Sequence, residues 1–188
     1  MTVRLRPATA GDAADLAPLV DLAGEGMPAA IWRQRASYKE DPLAVGRRIA
    51  AEDTGPMSWT LTTVAEDGEG LTGLVITELL DEAPQSFTPD THPILRPIRK
   101  LKAKVPNTRF INLFVVAPRA FEGETGSMLI DSVRAEAGPE GVAVALGDAN
   151  RRALDFFSAA GFRERTRVPV LAGDWQTDNR DWVLLTLP

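Results

Sequence analysis

The residues best placed to do chemistry lie between Phe110 and Glu136, in the stretch FINLFVVAPRAFEGETGSMLIDSVRAE. The apolar run Phe110, Ile111, Leu113, Phe114, Val115 and Val116 reads as a strand buried on both faces. Pro118 stops it, because proline has no amide hydrogen to give to a ladder. Gly123 and Gly126 follow in a loop. Met128, Leu129, Ile130 and Val133 then recur at helical spacing, with Asp131, Arg134 and Glu136 on the other side. A strand, a glycine-containing turn and a helix aim unpaired amide N–H groups at an anion. An ordinary strand-to-helix connection in an α/β domain has the same layout, so the pattern alone leaves both readings open.

Two other groups carry charge or a titratable ring. Arg96, Arg99, Lys100, Lys102 and Lys104 form a basic run that fits a solvated helix face or a local site for a phosphorylated or acidic ligand. The single histidine, His92, sits in the proline-flanked segment THPILRP, which reads as a surface loop. One histidine and no cysteine exclude disulfides, a thiol nucleophile and multi-histidine or thiolate metal sites, so no metal is expected. No G-x-S-x-G elbow is present for a hydrolase serine.

The chain that must position these residues has 188 residues, 44% apolar and 25% charged, as expected for one globular domain over 1–188 with its own core. A net charge of −5 argues against a general nucleic-acid or membrane-surface partner. The N-terminus has no long apolar core and no run approaches spanning length, so a cytoplasmic location is expected.

Val3 and Leu5 alternate with Arg4 and Arg6 in a short opening strand. Asp12 is placed to cap a helix carrying Leu16, Leu19, Val20 and Leu22. A second helical region spans about Pro28 to Glu52, broken near Asp41-Pro42. Trp59–Glu66 and Leu71–Leu79 read as a hairpin around the turn at 67–70. The proline-rich excursion Asp81–Asn107 holds a helix only between Ile94 and Lys104. Val142–Leu146 is a second apolar strand. Asn150 is placed to cap a helix through Ala159, closed by Gly161. Strands over Arg163–Val170 and Trp182–Leu187 finish the chain. A hairpin feeding parallel βα units predicts an α/β fold: a mixed sheet of about seven strands with helices on both faces.

That order, with local motifs, resembles the GNAT superfamily of acyl-CoA-dependent N-acyltransferases. Val116, Pro118, Gly126, Ser127 and Leu129 match the motif that closes its fourth strand and opens the next helix. Asn150, Ala153, Leu154, Phe156, Phe157, Gly161 and Phe162 fill every position of N-x-x-A-[IL]-x-[FL]-[YF]-x-x-x-G-F. Arg6, Ala8 and Asp12 match its opening pattern. The resemblance covers essentially the whole chain and is nearest to a bacterial branch with a long insert before the fourth strand.

The resemblance implies a sheet splayed between its fourth and fifth strands, with acetyl-CoA as co-substrate and a small-molecule amine as acceptor. Backbone groups of Phe114, Val115 and Val116 would hold the pantetheine arm. Gly123, Glu124, Thr125, Gly126 and Ser127 would cradle the pyrophosphate, and Asn150 and Phe157 would lie along the cofactor. Glu78 and Asn112 are the candidates for assisting the acceptor amine, with His92 and Asp148 as outsiders. Trp32, Phe87 and His92 are candidate pocket residues, and a homodimer stays open as a partner.

The chain departs from the family pattern in the loop. Phe121 stands where arginine or glutamine is usual, and Glu122 and Glu124 stand where glycines are usual. Two unit charges 4 Å apart repel by about 1 kcal/mol in bulk water, and more when partly buried. Carboxylates in a first turn also stabilise a helix when they point to solvent. Phe157 occupies the position of the family's acid tyrosine and has no proton to donate. A degenerate binding or interaction module that has lost productive acetyl-CoA binding is therefore the alternative to an enzyme.

Overall fold

The computed structural model describes residues 2–82 and 91–188. Phe87, with the rest of 83–90 in the insert, lies outside the described residues. The strands are β1 (Arg4–Pro7), β2 (Thr62–Asp67), β3 (Gly70–Leu79), β4 (Arg109–Val116), β5 (Val142–Gly147), β6 (Arg163–Pro169) and β7 (Asp181–Leu187). The helices are α1 (Ala13–Ala23), α2 (Met27–Arg35), α3 (Pro42–Ala51), α4 (Arg96–Lys102), α5 (Thr125–Ala135) and α6 (Arg151–Ala159). The sheet is mixed and seven-stranded, in the order β1-β2-β3-β4-β5-β7-β6. β4 pairs parallel with β5, in register over Arg109–Ile111 against Val142–Val144. Phe114–Val116 and Ala145–Gly147 fall outside that register.

The chain divides into two compact units, Met1–Thr77 with Asn112–Ser132 and Glu78–Ile111 with Val133–Pro188. In the first unit, Ala13, Leu16, Ala17 and Val20 make one buried face of α1. They join Trp32, Val45, Val64, Leu74, Ile76, Leu113 and Val115 in a single core. Asp41 caps α3 by accepting from the Leu43 amide at 3.0 Å, and Pro42 opens the helix where no amide hydrogen is needed. Gly46 on α3 faces the Trp32 ring, where a Cβ would sit 2.6 Å from a ring carbon. Trp32 is therefore a core side chain, 2% exposed.

Two local expectations change. β4 is not buried on both faces: Leu113 and Val115 are buried, whereas Asn112, Phe114 and Val116 are half-buried. An apolar run cannot distinguish two covered faces from one covered face and one partly covered. The strand expected from Trp59 begins at Thr62, because Ser58 accepts from the Thr60 amide at 3.1 Å and winds Trp59–Leu61 into a 3-10 turn.

In the second unit β7 lies between β5 and β6, antiparallel to both. Phe157 and Phe162 meet edge to face at 5.1 Å, and Trp175 stacks on Trp182 at 5.8 Å. The segment before β7 is stapled to the end of β5. The Asp148 carboxylate accepts from the Arg180 and Asp181 amides at 2.8 and 3.2 Å, and the Asn179 side-chain oxygen accepts from the Ala149 amide at 2.9 Å. A Cβ on Gly147 would lie 2.2 Å from that Asn179 oxygen, so a side chain there would displace Asn179.

Candidate functional site

The turn after β4 is built from the apolar strand outward. Ala117 ends it by donating its amide to the Thr72 carbonyl at 2.7 Å, and Pro118–Ala120 form one 3-10 turn. Arg119 anchors that turn. Its guanidinium donates to both Asp67 oxygens at 2.8 and 3.0 Å, and to the Gly70 and Leu71 carbonyls at 3.1 and 3.2 Å. This bidentate bond, with the Glu69 amide adding to it, holds the Asp67 carboxyl down at about 2. Arg119 is thus tied to the β2–β3 turn.

The first helical bond of α5 runs from the Met128 amide to the Glu124 carbonyl at 2.9 Å. That leaves the Thr125, Gly126 and Ser127 amides without an intrahelical acceptor at the start of an eleven-residue helix, Thr125 and Gly126 buried and Ser127 exposed. Glu122 and Glu124 are exposed, and among the described residues neither carboxylate caps these amides. Thr125 is fully buried, and its hydroxyl oxygen has no hydrogen-bond partner among the described residues. Across from it, Gly73 on β3 is forced: a Cβ there would lie 2.6 Å from the Val115 carbonyl oxygen and 3.0 Å from the Thr125 methyl.

The other candidates divide between the units. Asn112, Phe114, Val115 and Val116 share the first unit with the loop Gly123–Ser127. Glu78, His92, Asp148, Asn150 and Phe157 belong to the second. Glu78 is ion-paired with Lys102, whose ammonium lies 4.9 Å from the centre of the Phe110 ring. Burial pushes the Lys102 ammonium below the ordinary lysine value, while the Glu78 charge works in the opposite direction. His92 accepts from the Ile94 amide through Nδ1 at 3.3 Å, capping the turn before α4. Asn150 caps α6 by accepting from the Ala153 amide at 3.1 Å. Phe157 is 1% exposed, enclosed by Phe156 and Phe162.

Two residues of this geometry have no signal in sequence. Lys102 reads as one more cation of a basic run, yet its side chain is only 12% exposed. Arg119 reads as an ordinary loop cation; its partner Asp67 is far away in the chain. Among the described residues no cluster of acidic and histidine side chains suits a metal ion, and no helix is long and apolar enough to cross a membrane.

No protein-family model and no curated protein matches the chain. Solved structures do. An N-acetyltransferase from Staphylococcus aureus Mu50 superposes with a TM-score of 0.66 at 12% identity, covering 98% of this chain and 100% of that one. A GNAT-family acetyltransferase from Bacillus cereus gives 0.59 at 11% identity, covering 100% and 97%. Arabidopsis thaliana NAA60, solved in complex with acetyl-CoA, gives 0.56 at 18% identity, covering 99% and 98%. The chain has the GNAT acetyltransferase fold, with the mixed sheet that the motifs predict.

Proposed function

We propose that this protein is an N-acyltransferase that moves an acetyl or other acyl group from acyl-CoA to the amine of a small molecule by direct attack. The observation that carries this reading is the head of α5: amides at Thr125, Gly126 and Ser127 without an intrahelical acceptor, beside a buried Thr125 hydroxyl with no hydrogen-bond partner among the described residues. A helix N-terminus with free donors suits a pyrophosphate. When bound, acyl-CoA supplies the thioester that the amine attacks.

The chain's own residues take the remaining roles. The α5 amides hold the anion, and the β4 backbone over Phe114–Val116 holds the extended arm. Glu78 takes the proton of the acceptor ammonium, with Lys102 fixing its carboxylate in place, and Asn112 orients the acceptor. Phe157 has no proton to give, so the departing thiolate takes one from water.

The second reading, a binding module that has lost acyl-CoA, is favoured by one observation: Glu122 and Glu124 flank the anion site with no cation paired to either among the described residues. Titration calorimetry with acetyl-CoA decides between the two. Micromolar binding by the unaltered protein supports the transferase. Absent binding that becomes tight in the Glu122→Gly/Glu124→Gly variant supports the module.

A further inference from the structure

The groove between α4 and the end of β6 lies wholly in the second unit and is independent of the acyl-CoA reading. We propose that it binds a small apolar molecule carrying one carboxylate. Its volume is about 430 Å³, and it is lined by Arg96, Pro97, Lys100, Val168, Pro169 and Leu171. That volume falls in the small-molecule range. The floor is apolar, and Leu171 leaves 49% of its surface in water, although the chain gives most of its large side chains to the core.

The walls are set before any ligand arrives. The Val170 amide donates to the Arg180 carbonyl at 2.9 Å, which fixes the course of Val168–Leu171. Behind α4, Ile94 is 2% exposed and lies against Gly173, where a Cβ would meet it at 3.6 Å.

The rim supplies the charge. Arg96 and Lys100 are four residues apart, so both project on one side of α4. Like charges at that spacing weaken a helix, and Arg96 in the first turn also opposes the helix dipole. No residue of α4 is acidic. Among the described residues neither Arg96 nor Lys100 has a carboxylate partner, although Arg167 nearby on β6 is bound by Glu164 at 2.7 Å through two bonds. A single carboxylate seated over the groove relieves both repulsions, and an apolar body covers Val168, Pro169 and Leu171. A phosphate or another polyanion meets the same cations but leaves that floor in water.

The test is an amide-resolved NMR titration of the full chain with phenylbutyrate and its neutral isostere phenylbutyramide. Shifts are expected at Arg96, Lys100, Val168 and Leu171, with the acid binding roughly tenfold tighter than the amide at low salt. Arg96→Gln and Lys100→Gln should each weaken the acid several-fold and leave the amide unchanged. Leu171→Asp should abolish binding of both, with the melting temperature of every variant checked against the parent. Equal affinity for acid and amide overturns the proposal, as do shifts confined to other residues. Inorganic phosphate binding as tightly as phenylbutyrate also overturns it. A concentration-dependent dimer that Leu171→Asp dissolves would replace the small molecule with a second copy. Acetyl-CoA calorimetry on the same variants is expected to match the parent, so failure here and failure of the transferase reading are read separately.

Discussion

The Lys102 ammonium is buried against the Phe110 ring and held there by the Glu78 carboxylate. Removing the carboxylate takes away the negative charge that balances this enclosed cation. Glu78→Gln should cost about 1–2 kcal/mol in urea unfolding, less than for a fully buried pair because Glu78 is 35% exposed. Lys102→Met, which removes the charge and keeps the stem, should cost little. Because folding lowers the Lys102 pKa, the unfolded chain binds more protons, so this group's contribution favours folding more as pH rises toward the ordinary value of 10.5. The Glu78→Gln defect should therefore shrink as pH rises toward 10.5. A defect that does not change with pH would mean that Lys102 is no longer buried in the variant.

Arg6 donates to both Asp12 oxygens at 2.8 Å and to Glu66 at 2.8 Å. The Arg6 guanidinium, with the Thr9 amide and hydroxyl, holds the Asp12 carboxyl far below its ordinary value of 3.8. A lowered carboxyl stabilises the fold above the unfolded-state value and loses that contribution as pH falls through the folded value. Asp12→Asn should cost about 1–2 kcal/mol at neutral pH. It should also flatten the acid limb of the stability curve below about pH 4. An acid limb as steep as the parent's would assign the acid sensitivity elsewhere.

The sequence carries what is local. Asn150 announces its helix because a capping side chain sits one residue before the helix it caps, whereas Asp41-Pro42 marks only a break in the second helical region. The apolar runs of β4 and β5 announce strands because each is one contiguous stretch of residues. What joins distant stretches stays hidden. Arg119 and Asp67 are joined by the turn of the sheet and not by spacing, and Lys102 is buried through β3, a strand far from it in the chain. The head of α5 is a mixed case. Gly126 and Ser127 mark the loop, but whether Glu122 and Glu124 enter it depends on side-chain direction, which no residue order encodes.

Gly73 is a sequence-silent glycine with a structural demand. A side chain there meets the Val115 carbonyl, a backbone atom of β4 that cannot swing away. Gly73→Ala should destabilise by about 1–3 kcal/mol and displace the head of α5. Thermal melting reads the first effect, and loss of acetyl-CoA binding beyond the loss of stability reads the second. An alanine variant with the parent's melting temperature would show that β3 and β4 move apart easily at this point.

Thr125 offers the sharpest test of the site, because stability and binding should move in opposite directions. Its hydroxyl is enclosed without a partner among the described residues, and a buried polar group left unsatisfied costs about 1–3 kcal/mol. Thr125→Val keeps the shape and removes that group, so the fold should gain about 1 kcal/mol. Packing alone gives no reason to keep threonine there; a ligand at the head of α5 that draws the hydroxyl out of its enclosure does. Acetyl-CoA affinity should therefore fall roughly tenfold in the valine variant and be largely restored in Thr125→Ser. Stability that rises with affinity unchanged would mean that the hydroxyl serves nothing at the head of α5, and the case for an anion there would rest on the three amides alone.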